Sequence, residues 1–154
     1  MRVLAIDPGL TRCGIGVIES SNMSMVGVGV LKSSTEDSIE LRLMDIDSQI
    51  REWITLHNPD VIAIERVFSQ QNLRTVMGTA QVAGVALLAA AGSDLARGEL
   101  LQRADAWDLG VTRERYAERC RLKTARLFQA AAVLGSRASG INPDAADRFA
   151  SGVG

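Results

Sequence analysis

At 154 residues, 47% hydrophobic and 23% charged, the chain has globular composition and the length of a single domain over residues 1–154. Its net charge of −1 excludes an overall basic footprint for nucleic acid, so any such role must come from a local patch. Cys13 and Cys120 make neither a disulfide framework nor a zinc cluster and suit a reducing, cytoplasmic setting. The acidic residue at position 7 interrupts any signal-peptide core, and the stretch Val82 to Ala91 is too short to span a bilayer, so no membrane partner is expected.

Residues 2–7 read as a strand that Pro8-Gly9 breaks, with Thr11-Arg12 in the turn. A second strand follows over 14–19 and a third over 23–31, separated by Ser20-Ser21-Asn22, and together they suggest a meander. Gly27 and Gly29 mark the third strand as an edge or a place of close backbone approach. From Ser38 to His57, apolar residues at Ile39, Leu43, Ile46, Ile50, Trp53 and Ile54 have helical spacing, and Asn58-Pro59 ends the helix. Val61-Ile62-Ala63-Ile64 then runs into Glu65 as a buried strand with an acidic end. Residues 69–72 are polar and suit a helix cap; the Ala-, Leu- and Val-rich stretch 73–91 reads as helix, with Gly78 and Gly84 allowing close packing and Gly92 as its stop. Between 93 and 111, Glu99 to Gln102 reads as a short strand. Thr112 caps a helix to Leu134, residues 135–143 form a loop, and Asp144 opens a last helix.

This order predicts a mixed α/β sheet, a three-strand antiparallel meander plus parallel strands, flanked by helices. If the first and fourth strands lie side by side in parallel, Asp7 and Glu65 meet at neighbouring strand ends, where such sheets place their sites. Asp144 and Asp147 are three residues apart and share a helix face, although acids in a first helical turn also occur simply to suit the helix dipole. Four oxygen-donor acids without His or Cys select hard cations, Mg²⁺ or Mn²⁺. Two such ions about 4 Å apart activate water and stabilise a leaving oxygen in phosphodiester cleavage. His57 reads as a C-terminal helix residue rather than a ligand.

Three motifs carry a resemblance: Ile6-Asp7-Pro8-Gly9-Leu10-Thr11, then Pro59 through Phe68, then Asp144-Ala145-Ala146-Asp147. With Gln71-Asn72 and Gly78 to Val85 they resemble the acidic motifs and following helix of the RuvC-type Holliday-junction resolvases, strongly over residues 1–91 and again over 143–147. The resemblance implies a ribonuclease H-like fold and a cytoplasmic homodimer, joined through the 73–91 helix, that resolves four-way DNA junctions in recombination and repair. It further implies branch-migration proteins as partners and Asp7, Glu65, Asp144 and Asp147 as catalytic, metal-binding acids holding two ions. Phe68 matches an aromatic that contacts distorted bases, or is a core phenylalanine.

Residues 92–142 depart from the family pattern. In the best register Asp108 stands at one family lysine, Arg119 at a second, and Arg113 and Arg115 in place of loop glycines. From Thr112 to Arg126, five arginines and Lys123 face only Glu114 and Glu118, which makes Arg113, Arg115 and Arg119 candidate phosphate contacts or a solvated helix face. These departures leave open a catalytically weakened or inactive junction-binding relative. Asp7-Pro8-Gly9-Leu10-Thr11 also resembles the first phosphate loop of kinases and ATPases that share the core.

Overall fold

The computed structural model describes residues 1–66, 73–139, 145, 148, 149 and 152. The described chain forms two compact units, Met1–Ala90 and Ala91–Gly154.

The first unit is built on a four-stranded sheet. β1 (Arg2–Asp7), β2 (Arg12–Glu19) and β3 (Ser24–Lys32) are an antiparallel meander, and β4 (Val61–Ile64) pairs with β1 in parallel, giving the order β3-β2-β1-β4. This is the mixed sheet expected from the sequence. Helix α1 (Ile39–His57) crosses from β3 to β4 and ends where Asn58 takes a left-handed conformation, its N–H donating to the Ile54 carbonyl at 2.9 Å. One sheet face is apolar and covered: Leu4, Ile6, Cys13, Ile15, Val17 and Leu31 pack with Ile46, Ile50 and Ile54 of α1 and with Val82, Ala86 and Ala89 of helix α2 (Leu73–Ala104). Gly27 and Gly29 lie on the edge strand β3, and a Cβ at Gly29 would come within 2.8 Å of the Trp53 ring. The two glycines let α1 lay an indole on the sheet. His57 closes α1 with its ring 5.0 Å from that of Trp53, in the structural role expected of it.

Two sequence expectations fail at α2. Gly92 does not stop the helix, which runs on to Ala104 and so spans the two units, and the strand expected at Glu99–Gln102 is its last part. Lys123 explains the second point, because its Nζ reaches Glu99 Oε1 at 2.7 Å and Gln102 Oε1 at 2.9 Å, partners three residues apart that share a face only in a helix. The extension also makes Val76–Ala104 long and apolar enough to cross a membrane by length and composition, where the shorter expected helix was not; in the fold its Val82, Ala83, Ala86 and Ala89 are buried.

The second unit contains the end of α2, helix α3 (Arg113–Cys120), a π-helical turn (Arg121–Ala125) and helix α4 (Arg126–Ala138). Thr112 caps α3 as expected, accepting a hydrogen bond from the Arg115 amide at 3.2 Å. The chain passes without a break from α3 to α4, and Gly98 explains the widened turn between them: a Cβ there would stand 2.8 Å from the Lys123 backbone nitrogen.

Candidate metal-binding site and the basic helix

Asp7 is the last residue of β1. Its neighbour across the ladder in β2 is Gly14, where a Cβ would lie 3.2 Å from the Asp7 Cβ, so the missing side chain leaves the carboxylate its room. On the other side, β4 follows β1 in register through Ile6↔Ile64, and the Glu65 amide donates to the Ile6 carbonyl at 2.9 Å. Glu65 therefore extends the parallel ladder by one step, directly beside Asp7. Both side chains are exposed, and among the described residues neither forms an ion pair. The hard oxygen donors of neighbouring carboxylates suit a divalent ion.

The loop after Asp7 is held by residues that the sequence reading did not single out. The Ser33 hydroxyl donates to the Leu10 carbonyl, while Arg42 of α1 donates from Nε to Ser33 Oγ at 3.1 Å and from Nη2 to Thr11 Oγ1 at 2.7 Å. Gly9 is required here because a Cβ would collide with the Arg12 carbonyl oxygen. Gly78 of α2 gives Leu10 of the same loop its place, since a Cβ there would be 3.3 Å from Leu10. No local spacing signals Arg42 or Ser33; they meet the loop only through the fold. Beneath the loop the Cys13 thiol is pushed up by burial, with the Asp7 charge adding to the rise and the Gly9 backbone opposing it.

Of the other expected site residues, Phe68, Asp144 and Asp147 lie outside the described residues. Among the described residues no three His, Cys, Asp or Glu side chains cluster as a metal site.

The basic stretch after Thr112 has internal partners. Asp105, with its side chain wholly buried, accepts from Arg115 Nε at 2.6 Å and pairs with Arg119 Nη1 at 3.4 Å. Arg121 pairs with Glu118 at 2.7 Å and Arg126 with Asp94 at 3.4 Å. The net positive charge read from the sequence is thus answered by acids on α2 and just beyond it. Arg113 is exposed and has no ion pair among the described residues. Asp108 accepts from the Gly110 amide at 2.8 Å and shapes the turn before α3.

The family model of crossover junction endodeoxyribonuclease RuvC matches residues 3–101, and the model of the polyprenyl synthetases matches residues 61–154. The crossover junction endodeoxyribonuclease RuvC of Saccharopolyspora erythraea is 53% identical over 94 residues, 59% of this chain and 47% of the relative. That of Paenarthrobacter aurescens is also 53% identical over 94 residues, 50% of its length. The chain spans about half the length of the curated relatives it matches. The structure of T. thermophilus RuvC in complex with Holliday junction substrate aligns with a TM-score of 0.56 at 22% identity, over 79% of this chain and 78% of that one, a likeness of fold. The division between the units, after Ala90, falls inside the 61–101 overlap of the two family models. The poorly fitting positions 108, 113, 115 and 119 all lie beyond the RuvC match. The chain belongs to the RuvC family of crossover junction endodeoxyribonucleases through residues 3–101, and to the polyprenyl synthetase family through residues 61–154.

Proposed function

We propose that the first unit carries the acidic half of a divalent-metal phosphodiesterase site that acts on four-way DNA junctions. The observation behind this reading is the parallel β1–β4 pair, which sets Asp7 and Glu65 side by side at one sheet end within the RuvC-matched residues. In this reading Asp7 and Glu65 hold Mg²⁺ or Mn²⁺, two ions per site with Asp144 and Asp147 as the remaining acids. When bound, the metal supplies Lewis acidity for a water and for the leaving oxygen. The anchored 8–12 loop keeps Asp7 in place, and Phe68 and Arg113 are the DNA contacts to test first, since Arg115 and Arg119 already hold Asp105. A homodimer in the cytoplasm, working beside branch-migration proteins, completes the reading by family analogy.

The test is cleavage of a synthetic four-way junction by the purified chain with Mg²⁺ or Mn²⁺. The expected result is metal-dependent cutting that Asp7→Asn abolishes while binding persists. A second reading, a weakened or inactive junction binder, is favoured by one specific observation: the RuvC match ends at residue 101, so Asp144 and Asp147 fall outside it and inside the polyprenyl synthetase match. Metal-independent junction binding without cutting would select it over the first.

A further inference from the structure

The sheet end that carries Asp7 also carries a pair of cations that the fold leaves unanswered. Side chains alternate along β2, so Arg12 projects on the same face as Gly14. Gly14 stands opposite Asp7, and a Cβ on it would lie 3.2 Å from the Asp7 Cβ, which puts Arg12 on the Asp7 face, one same-face step further out. The register of β3 sets Lys32 directly opposite Arg12. Like charges directly opposite in a ladder work against the sheet. Both residues are exposed, and among the described residues neither forms an ion pair. The acids closest to them in the chain, Asp7 and Glu36, pair with neither.

The backbone beneath the two cations is nonetheless held firmly. Thr11, beside Arg12, and Ser33, beside Lys32, are joined by the hydrogen bond from the Ser33 amide to the Thr11 carbonyl at 3.4 Å, and Arg42 donates to both side chains. Gln49 ties Lys32 again: its Oε1 accepts from the Lys32 amide at 3.3 Å and its Nε2 donates to the Lys32 carbonyl at 2.9 Å. Helix α1 therefore fixes the frame of the pair and, among the described residues, supplies no carboxylate to neutralise it. Fixed cations with unspent charge suit an oxyanion, and beside a phosphodiesterase site the oxyanion at hand is a backbone phosphate. We infer that Arg12 and Lys32 together hold a backbone phosphate of a nucleic-acid strand whose neighbouring phosphate is presented to Asp7 and Glu65. The inference deepens the proposed nuclease reading and rests on it for the identity of the ligand. The acids take the metal, and the cation pair sets the register of the strand on them.

The experiment measures binding of the full 154-residue chain to a synthetic four-way junction across a range of salt, without added divalent metal so that cutting does not intervene. Arg12→Gln combined with Lys32→Gln should weaken binding about tenfold or more at low salt and lower the slope of log affinity against log salt by about one unit. Arg12→Lys keeps the charge and should keep the slope. Arg51→Gln removes a cation already paired with Asp47 on α1 and should leave the slope as it was. The double variant should melt no lower than the unaltered chain, because a repulsion has been removed. Four outcomes overturn the inference: a slope unmoved in the double variant; an equal change in Arg51→Gln, which assigns the effect to overall charge; a double variant that melts several degrees lower, which makes the pair structural; or no DNA binding by the unaltered chain. The same samples are then given Mn²⁺ and scored for cutting. No cutting with the slope change intact removes the nuclease reading and leaves the pair as a nucleic-acid contact, whereas cutting with an unmoved slope removes this inference alone.

Discussion

Individual residues in this chain do work that their types alone leave ambiguous. Asp105 is the clearest case. It lies outside both the motif set and the basic stretch, yet it is the buried acid to which Arg115 and Arg119 converge. Removing one partner of a buried ion pair ordinarily costs about 3–5 kcal/mol. Arg115 is half exposed and can return to water, whereas Arg119 is 19% exposed and cannot do so fully. Asp105→Ala should therefore destabilise the second unit by about 2 kcal/mol, below that range, as measured by urea unfolding. Two other acids titrate with opposite signs. Burial raises Asp94 above its ordinary 3.8, against the pull of Arg126 and Arg121, so ionising it works against folding and stability from this group falls as pH rises through its folded value. The hydrogen bond from Arg121 lowers Glu118 below 4.5, so its contribution is present above that value and is lost as pH falls through the lower one. Glu118→Gln should flatten the acid limb of a stability-against-pH curve. Asp94→Asn should lift stability at neutral pH relative to acid. Calorimetric melts between pH 3 and pH 8 would check both signs.

At the scale of elements, α2 shows how tertiary partners override a local stop. A glycine inside a helix costs about 1 kcal/mol relative to alanine, which is why Gly92 reads as an end. Here Ala91 beside it is buried, and the residues beyond it are held by Lys123 on Glu99 and Gln102. Those contacts outweigh the propensity term. Gly98 presents the reverse case. Gly98→Ala would gain about 1 kcal/mol in helix propensity, but the new Cβ would press on the Lys123 backbone, and overpacking of this kind costs about 1–3 kcal/mol. The net expectation is a destabilised second unit, visible as faster amide exchange in α3 and the π-helical turn. The four-residue stretch Glu99–Gln102 reads as a strand in sequence because so short a run carries no decisive period.

For the molecule as a whole, the parts differ in how far the sequence alone determined them. The meander, α1 with its Asn58 end and the β4 strand were all legible, because each is written in local periodicity and in turn residues that act on their immediate neighbours; the neighbouring strand ends of Asp7 and Glu65 followed from the sheet order instead. The edge character of β3 was legible for the same reason, through Gly27 and Gly29. Only the tertiary structure decided the rest. It carried α2 past Gly92, set cations of the basic stretch on Asp94, Glu99 and Asp105, and recruited Ser33 and Arg42 to hold the loop beside Asp7. These outcomes depend on which surfaces meet across long sequence separations, and a pairing energy between distant residues leaves no periodic trace in the chain that carries them.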